Sequence, residues 1–185
     1  MSKDRNRVCP LERAGSLDTI TRRWMQNPRR LLRQYVSKGM TVLDVGCGPG
    51  FFSIALADMI GSSGKVIAAD LQQGMLNIVQ QKIKGTDLEK RIQLHRCDNH
   101  IIGVTEYVDF ILAFYVIHEL PDQNNFFKEM YSILKPNGQM YIVEPIFHVS
   151  RNGMNKTIDL AENKGFKLMK KPLIWLSRSA ILKKF

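Results

Sequence analysis

The sequence contains little that would brace it with disulfides, bind zinc through clustered ligands or carry it through a bilayer. Its three cysteines, Cys9, Cys47 and Cys97, stand far apart. No CxxC or Cys/His ligand spacing surrounds them, so neither a disulfide framework nor a zinc site is suggested, and no metal is expected. The longest uninterrupted apolar run covers residues 110–117, far short of the roughly 20 residues that a spanning helix needs. The first residues lack the apolar stretch of a signal peptide, and the expected location is the cytoplasm. No Pro-, Ser- or Gln-rich tract interrupts a composition that is 44% hydrophobic over 185 residues, which suits one well-buried core rather than two domains. Acidic residues are missing from residues 164–185, which hold seven Lys or Arg, and are scarce in residues 1–39, where ten basic residues face three acids. Residues 40–163 reverse the balance with ten basic against fourteen acidic residues, within an overall charge of +10. Two readings of the basic ends stand open: a rim that attracts an anionic substrate, nucleic acid or lipid headgroups, or plain solvated surface.

What is present begins with Val42-Leu43-Asp44-Val45-Gly46-Cys47-Gly48-Pro49-Gly50-Phe51. A short apolar run rich in β-branched residues, residues 41–45, predicts a strand covered on both faces. Three glycines at alternate positions then predict a tight loop that lets a ligand approach the backbone. The segment FFSIALADMI, residues 51–60, predicts a helix whose first N–H groups face that loop, a place for the polar or charged tail of a small molecule. A turn at Gly61-Ser62-Ser63-Gly64 and a second apolar strand ending at Asp70 complete a right-handed βαβ unit, and hence a parallel sheet.

Ahead of this unit, Ser16 or Asp18 can cap a helix running to Met25, and Asn27-Pro28 predicts a second helix ended by Gly39, with Leu31, Leu32, Tyr35 and Val36 along one side. That amphipathic basic helix suits either a membrane surface or a cover over one edge of the ligand cleft. After the unit come a helix over residues 73–84, a strand over 91–97, a strand over 108–114 and a helix opened by Leu120-Pro121-Asp122. Lys135-Pro136-Asn137-Gly138 closes that helix, and a fifth strand covers residues 140–143. A helix over residues 154–164, stopped by Gly165, precedes two strands, residues 166–171 and 174–182, with Pro172 between them. The expected architecture is α/β: a Rossmann-like, doubly wound, seven-stranded sheet, mostly parallel with one antiparallel strand, and helices on both faces. The expected division is an N-terminal helical cap, residues 1–37, and a ligand-binding domain, residues 38–185.

Ligands of such sheets bind beyond the C-terminal strand ends. Those ends carry Asp44 with the glycine loop, Asp70, Asp98-Asn99, Phe114-Tyr115 with His118, and Glu144 with His148. Asp70, twenty residues after Gly50, is placed to accept from both hydroxyls of a ribose. Asp98 can accept from a purine amine, with Leu71 and Ile101 sandwiching the ring. The dinucleotide fingerprint GxGxxG is not met, because Phe51 stands where its third glycine belongs.

DVGCGPG instead resembles the first motif of class I S-adenosylmethionine-dependent methyltransferases. LKPNG, residues 134–138, is similar to that family's LKPGG, and FYVIHELPD, residues 114–122, to its segment after strand four. The resemblance covers residues 38–183 and is strongest to the subgroup of ubiquinone and menaquinone C-methyltransferases. It implies S-adenosyl-L-methionine as cofactor, with its methionine part on Gly46, Cys47 and Gly48, Asp44 beneath and Gly50 closing the loop. Asp70 then takes the ribose, Leu71, Asp98 and Asn99 the adenine, and the backbone near Phe114 the amino-acid end. Asn99 departs from the small apolar residue of many relatives.

Methyl transfer from a sulfonium mainly needs alignment, which can lower a barrier by roughly 7–11 kcal/mol, whereas a general base adds about 10²- to 10⁴-fold. His118 is the candidate base and Tyr115 a candidate substrate-shaping group; an alternative for His118 is a purely structural hydrogen bond. The expected acceptor is a small or medium molecule, anionic or lipid-like; a lipid acceptor would suit the basic helix, for which peripheral membrane contact stands as the alternative to covering the cleft edge. Residues 115–118 carry no (N/D)PP(Y/F), which argues against amino-methylating nucleic-acid enzymes. An RNA-directed methyltransferase and a catalytically silent S-adenosylmethionine-binding subunit remain as alternatives.

Overall fold

The computed structural model describes residues 26–185, so Cys9 and the helix expected to end at Met25 lie outside the described residues. The described chain opens with α1 (Pro28–Leu32), in which Asn27 accepts from the Arg30 N–H and proline takes the first helical position. It then runs β1 (Thr41–Val45), α2 (Phe51–Ile60), β2 (Lys65–Asp70), α3 (Gln73–Ile83) and β3 (Ile92–Arg96). There follow β4 (Val108–Phe114), α4 (Gln123–Ile133), β5 (Leu134–Pro145), α5 (Arg151–Glu162), β6 (Lys167–Lys170) and β7 (Ser177–Lys183).

The seven strands form one sheet in the order β3-β2-β1-β4-β5-β7-β6, with β7 antiparallel to both of its neighbours and the other strands parallel. The strand alternation explains the double winding. Leu43, Val45, Ile67, Ile111, Ala113, Met140 and Ile142 turn to one face and pack with Phe126, Phe127 and Met130 of α4 and Met154, Ile158 and Ala161 of α5. Their neighbours Val42, Val66, Ala68, Phe110, Leu112, Tyr141 and Val143 turn to the other and meet Phe52, Leu56 and Ile60 of α2 and Leu76, Val79 and Ile83 of α3. Both faces are thus covered, as a parallel sheet requires. The edge strand β6 keeps Lys167 and Lys170 exposed, charges that discourage pairing with another chain. The strand order reverses between β1 and β4, and a crevice opens there at the C-terminal ends.

Three segments differ from the sequence expectation. The basic helix stops at Leu32 rather than running toward Gly39. Leu32, Tyr35 and Val36 are buried, with the Tyr35 ring stacked on Phe110 at 6.2 Å and tilted on Tyr141 at 5.2 Å. The stripe offered to a membrane is therefore consumed by the sheet. Residues 135–138 do not form a loop between α4 and a short fifth strand, since β5 starts directly at Leu134. Val108 pairs with Leu134 and Phe110 with Gln139, so the intervening residues bulge outward around Asn137 at φ 65°. Residues 174–176 leave the last strand to make the turn that precedes β7, with Leu176 at φ 52°. No helix among the described residues is long and apolar enough to cross a membrane.

Candidate active site

The crevice is a cleft of about 520 Å³, within the usual range of ligand pockets. Its first half is built by the backbone. The Gly46 and Cys47 N–H groups both donate to the Ala69 carbonyl, at 2.8 and 3.0 Å, which folds the glycine loop over the end of β2. Gly46 holds φ 67°, and a Cβ there would come within 2.7 Å of the Val116 side chain, so only glycine fits. The Asp70 carboxylate accepts from the Gly48 N–H on one oxygen and the Gln72 N–H on the other, each at 2.8 Å. Burial pushes its pKa above the ordinary carboxylate value against the pull of these backbone donors. Beneath the loop, buried Asp44 accepts from the Ser53 hydroxyl at 2.6 Å and so ties β1 to the first turn of α2. The Cys47 thiol is driven well above its ordinary pKa by burial and by Asp44 and Asp70. It remains protonated, a small loop residue rather than a nucleophile.

These features fit the cofactor that the resemblance implies. The Asp70 carboxylate spends acceptor positions on the backbone N–H groups of Gly48, Gln72 and Leu71, and of its roughly four positions one remains for a ribose hydroxyl. Leu71, Asp98 and Asn99 line the cleft beyond it. Ile102 is buried and lines the cleft, whereas Ile101, expected opposite Leu71, is half exposed and not among the lining residues. Gly50 is off the wall; it starts α2 at φ 84° and backs onto Val79.

The second half is built by side chains. The backbone swings through φ 62° at Tyr115, unusual for a residue with a side chain. The turn is held by the Tyr115 N–H on the Val143 carbonyl at 2.8 Å. The Tyr115 hydroxyl receives the Gln26 amide at 2.8 Å and lies 2.6 Å from the Ser177 hydroxyl, which in turn can donate to the Trp175 carbonyl at 3.2 Å. Phe114 and Tyr115 both line the cleft, their rings 4.5 Å apart.

His118 stands just behind this wall, between the lining residues Val116 and Glu119 but not itself among them. Its Nδ1 is hydrogen-bonded to Glu144, which also accepts from the Ile117 N–H at 2.9 Å, and its Nε2 lies 3.2 Å from Nδ1 of His148. Glu144 is only 1% exposed. Burial alone would lower the His118 pKa, but the hydrogen bond and charge of Glu144, aided by Glu119, outweigh it and raise the ring above the ordinary histidine value.

The structure therefore gathers Asp44, Gly46, Cys47, Gly48, Asp70, Leu71, Asp98, Asn99, Phe114 and Tyr115 along one cleft. It sets Gly50 behind the loop and His118 behind the opposite wall. Sequence reading noticed Glu144 at a strand end without giving it a task; its acid type inside the apolar run of β5 was the available signal. Ser177 and Gln26 carried no signal at all.

A family model described as a methyltransferase domain matches residues 36–172. Among curated proteins, demethylmenaquinone methyltransferase of Lactobacillus johnsonii is 38% identical over 110 residues, 59% of this chain and 45% of that protein. Demethylmenaquinone methyltransferase of a Geobacillus species is 30% identical over 133 residues, 72% of this chain and 57% of that protein. The chain thus spans about half the length of these relatives. Among solved structures, a SAM-dependent methyltransferase from Aquifex aeolicus superimposes with a TM-score of 0.85 at 24% identity, over 96% of this chain and 100% of that one. At that identity the superposition establishes the fold.

Proposed function

The chain belongs to the methyltransferase-domain family, and we propose that it methylates a carbon of a small, lipid-like acceptor of the hydroquinone class, with S-adenosylmethionine as its cofactor. The single observation that carries this reading is the facing of two unlike walls across one cleft: a backbone loop closed by Asp70, and Tyr115 with the His118–Glu144 pair behind it. Two curated relatives bear the name demethylmenaquinone methyltransferase, which supports an acceptor of this kind.

When bound, S-adenosylmethionine supplies a sulfonium methyl group that leaves with loss of the positive charge. The residues of this chain have simpler tasks. Asp70 and the glycine loop fix the donor, and the apolar wall of Phe114, Tyr115, Val116 and Leu120 excludes water from the transfer path. Methylating an aromatic carbon releases a proton from the acceptor, and His118 takes it. Glu144 holds Nδ1–H, which makes Nε2, 3.2 Å from Nδ1 of His148, the basic atom, and the buried carboxylate stabilises the ring once charged.

The test is transfer of labelled methyl from S-adenosylmethionine to a reduced naphthoquinone with a free ring position and a short prenyl chain, beside calorimetry with S-adenosylmethionine and with NAD. Label in the quinol and binding of S-adenosylmethionine alone are expected. Binding of NAD in its place would overturn the reading, and so would label that enters only RNA.

A further inference from the structure

At the end of the molecule where the cleft opens, the turn between β6 and β7 exposes a cluster of large apolar side chains. Leu173 is fully exposed, Trp175 is 63% exposed and Leu176 is 39% exposed. The Ile146 N–H donates to the Leu176 carbonyl at 3.2 Å, which brings the loop after β5 alongside, and Phe147 there is 77% exposed. This is not a loose tip. Ile174 is buried in the core, its carbonyl accepts from the Ser177 N–H at 3.1 Å, and the neighbours on either side are thereby turned outward. Four large apolar groups set in water at one place are a cost the fold does not need, since β6 and β7 pair without them.

Basic charge adjoins the cluster on one side, with the Lys170 ammonium on Gln34 and that of Lys171 on Asn155. Lys170 and Lys171 directly precede it, both exposed, and no acid occurs anywhere in residues 164–185. A projecting tryptophan and leucine flanked by lysines is the composition that enters the headgroup boundary of a bilayer, apolar groups inward and ammonium groups at the phosphates. The cluster is also wired to the cleft: Tyr115 of the acceptor wall bonds to Ser177, and Ser177 to the carbonyl of Trp175.

We propose that this β6–β7 turn, with Phe147, docks the protein on an anionic lipid surface and holds the mouth of the cleft against it. The membrane contact that was one alternative for the basic N-terminal helix is thus placed at the opposite end of the described chain. The purpose of the surface rests on the lipid-like acceptor proposed above, because such an acceptor could then pass from the bilayer past Tyr115 without crossing water.

The experiment is sedimentation of the full chain with vesicles of phosphatidylcholine alone and with a third of phosphatidylglycerol. Trp175 is made the sole tryptophan by Trp24→Phe, the sequence having two. Binding to the anionic vesicles, with a blue shift of Trp175 emission, is expected. Leu173→Ser should lower that binding about tenfold, and Lys170→Gln or Lys171→Gln about fivefold each, with S-adenosylmethionine affinity unchanged as the sign of an intact fold. Absence of vesicle binding overturns the proposal, as does binding that Leu173→Ser leaves intact. So does concentration-dependent dimerisation without vesicle binding, which would give the cluster to a second copy. Vesicle binding by a chain that labels no quinol would leave the surface standing and sink the acceptor, whereas quinol methylation without vesicle binding does the reverse.

Discussion

The two walls of the cleft are built on opposite principles. On the cofactor side, backbone N–H groups of the glycine loop meet Ala69 and Asp70, and the side-chain bonds join residues nine and twenty-two positions apart, Asp44 to Ser53 and Asp70 to Gly48. On the acceptor side, side chains meet side chains over 26, 30, 62 and 89 positions: His118 with Glu144 and His148, and Tyr115 with Ser177 and Gln26. A wall of local backbone geometry tolerates little change and suits a ligand that never varies. A wall assembled from distant side chains can be retuned one residue at a time and suits the ligand that sets specificity.

The contrast predicts that the walls can be damaged separately. The largest effect is expected from His118→Asn, whose amide keeps a donor for Glu144 and so spares the buried carboxylate from isolation. It should lower kcat about 10²- to 10⁴-fold while calorimetry finds cofactor affinity unchanged. Undiminished turnover would leave His118 a structural residue. Asp70→Ala should do the opposite. It removes a charge-assisted hydrogen bond to the ribose and the clasp on Gly48, and weakens S-adenosylmethionine binding about 100-fold or more. The KM for acceptor should change little at saturating cofactor. If both variants lose both ligands, the separation of the walls is wrong.

The same distinction governs what could be read beforehand. Strands β1, β2 and β4 and helix α2 were legible because apolar periodicity, glycines and end residues lie within single short windows. The gathering of the glycine loop, Asp70 and Asp98 on one wall, proposed above to hold the cofactor, was legible for that reason. The pairing of His118 with Glu144 was not, since it depends on β4 and β5 lying side by side with their ends level. The basic N-terminal helix left a membrane and a cover over the protein both open, because an apolar stripe says only that something lies against it. Tyr35 and its neighbours are covered by Phe110 and Tyr141, while the uncovered apolar groups stand on the β6–β7 turn.

Between the extremes lies Glu144→Gln, which keeps the shape of the acceptor wall and removes its charge. Glu144 raises the His118 pKa above the ordinary value near 6.5, and only the neutral ring accepts a proton, so turnover should rise with pH through that elevated value. With glutamine the rise should begin at lower pH, and the plateau should fall. Stability must move in the matching sense. A histidine whose folded pKa is raised contributes stability that is fully present below its unfolded pKa and lost as pH rises through the folded one. Thermal melts should therefore show the parent losing its advantage over Glu144→Gln across that window, and a pH-independent difference would mean that the pair carries no shared proton.

The smallest effect is expected from Ser177→Ala, and it tests the wiring between the acceptor wall and the turn beyond it. Tyr115 holds a left-handed backbone that costs about 1–2 kcal/mol, and its hydroxyl helps to fix it there by receiving Gln26 and giving its proton to Ser177. Removing one partner of a part-buried hydrogen bond costs about 1 kcal/mol, too little to unfold the sheet. Spent on the placement of Tyr115, it should raise the acceptor KM about fivefold while leaving kcat and cofactor affinity near the parent values. A Tyr115→Phe variant should show a larger change, since it also loses the Gln26 bond, and adding Ser177→Ala to it should add little, because the bond the two share is already gone. Additive losses would mean that Ser177 acts on the turn alone and that the acceptor wall ends at Tyr115.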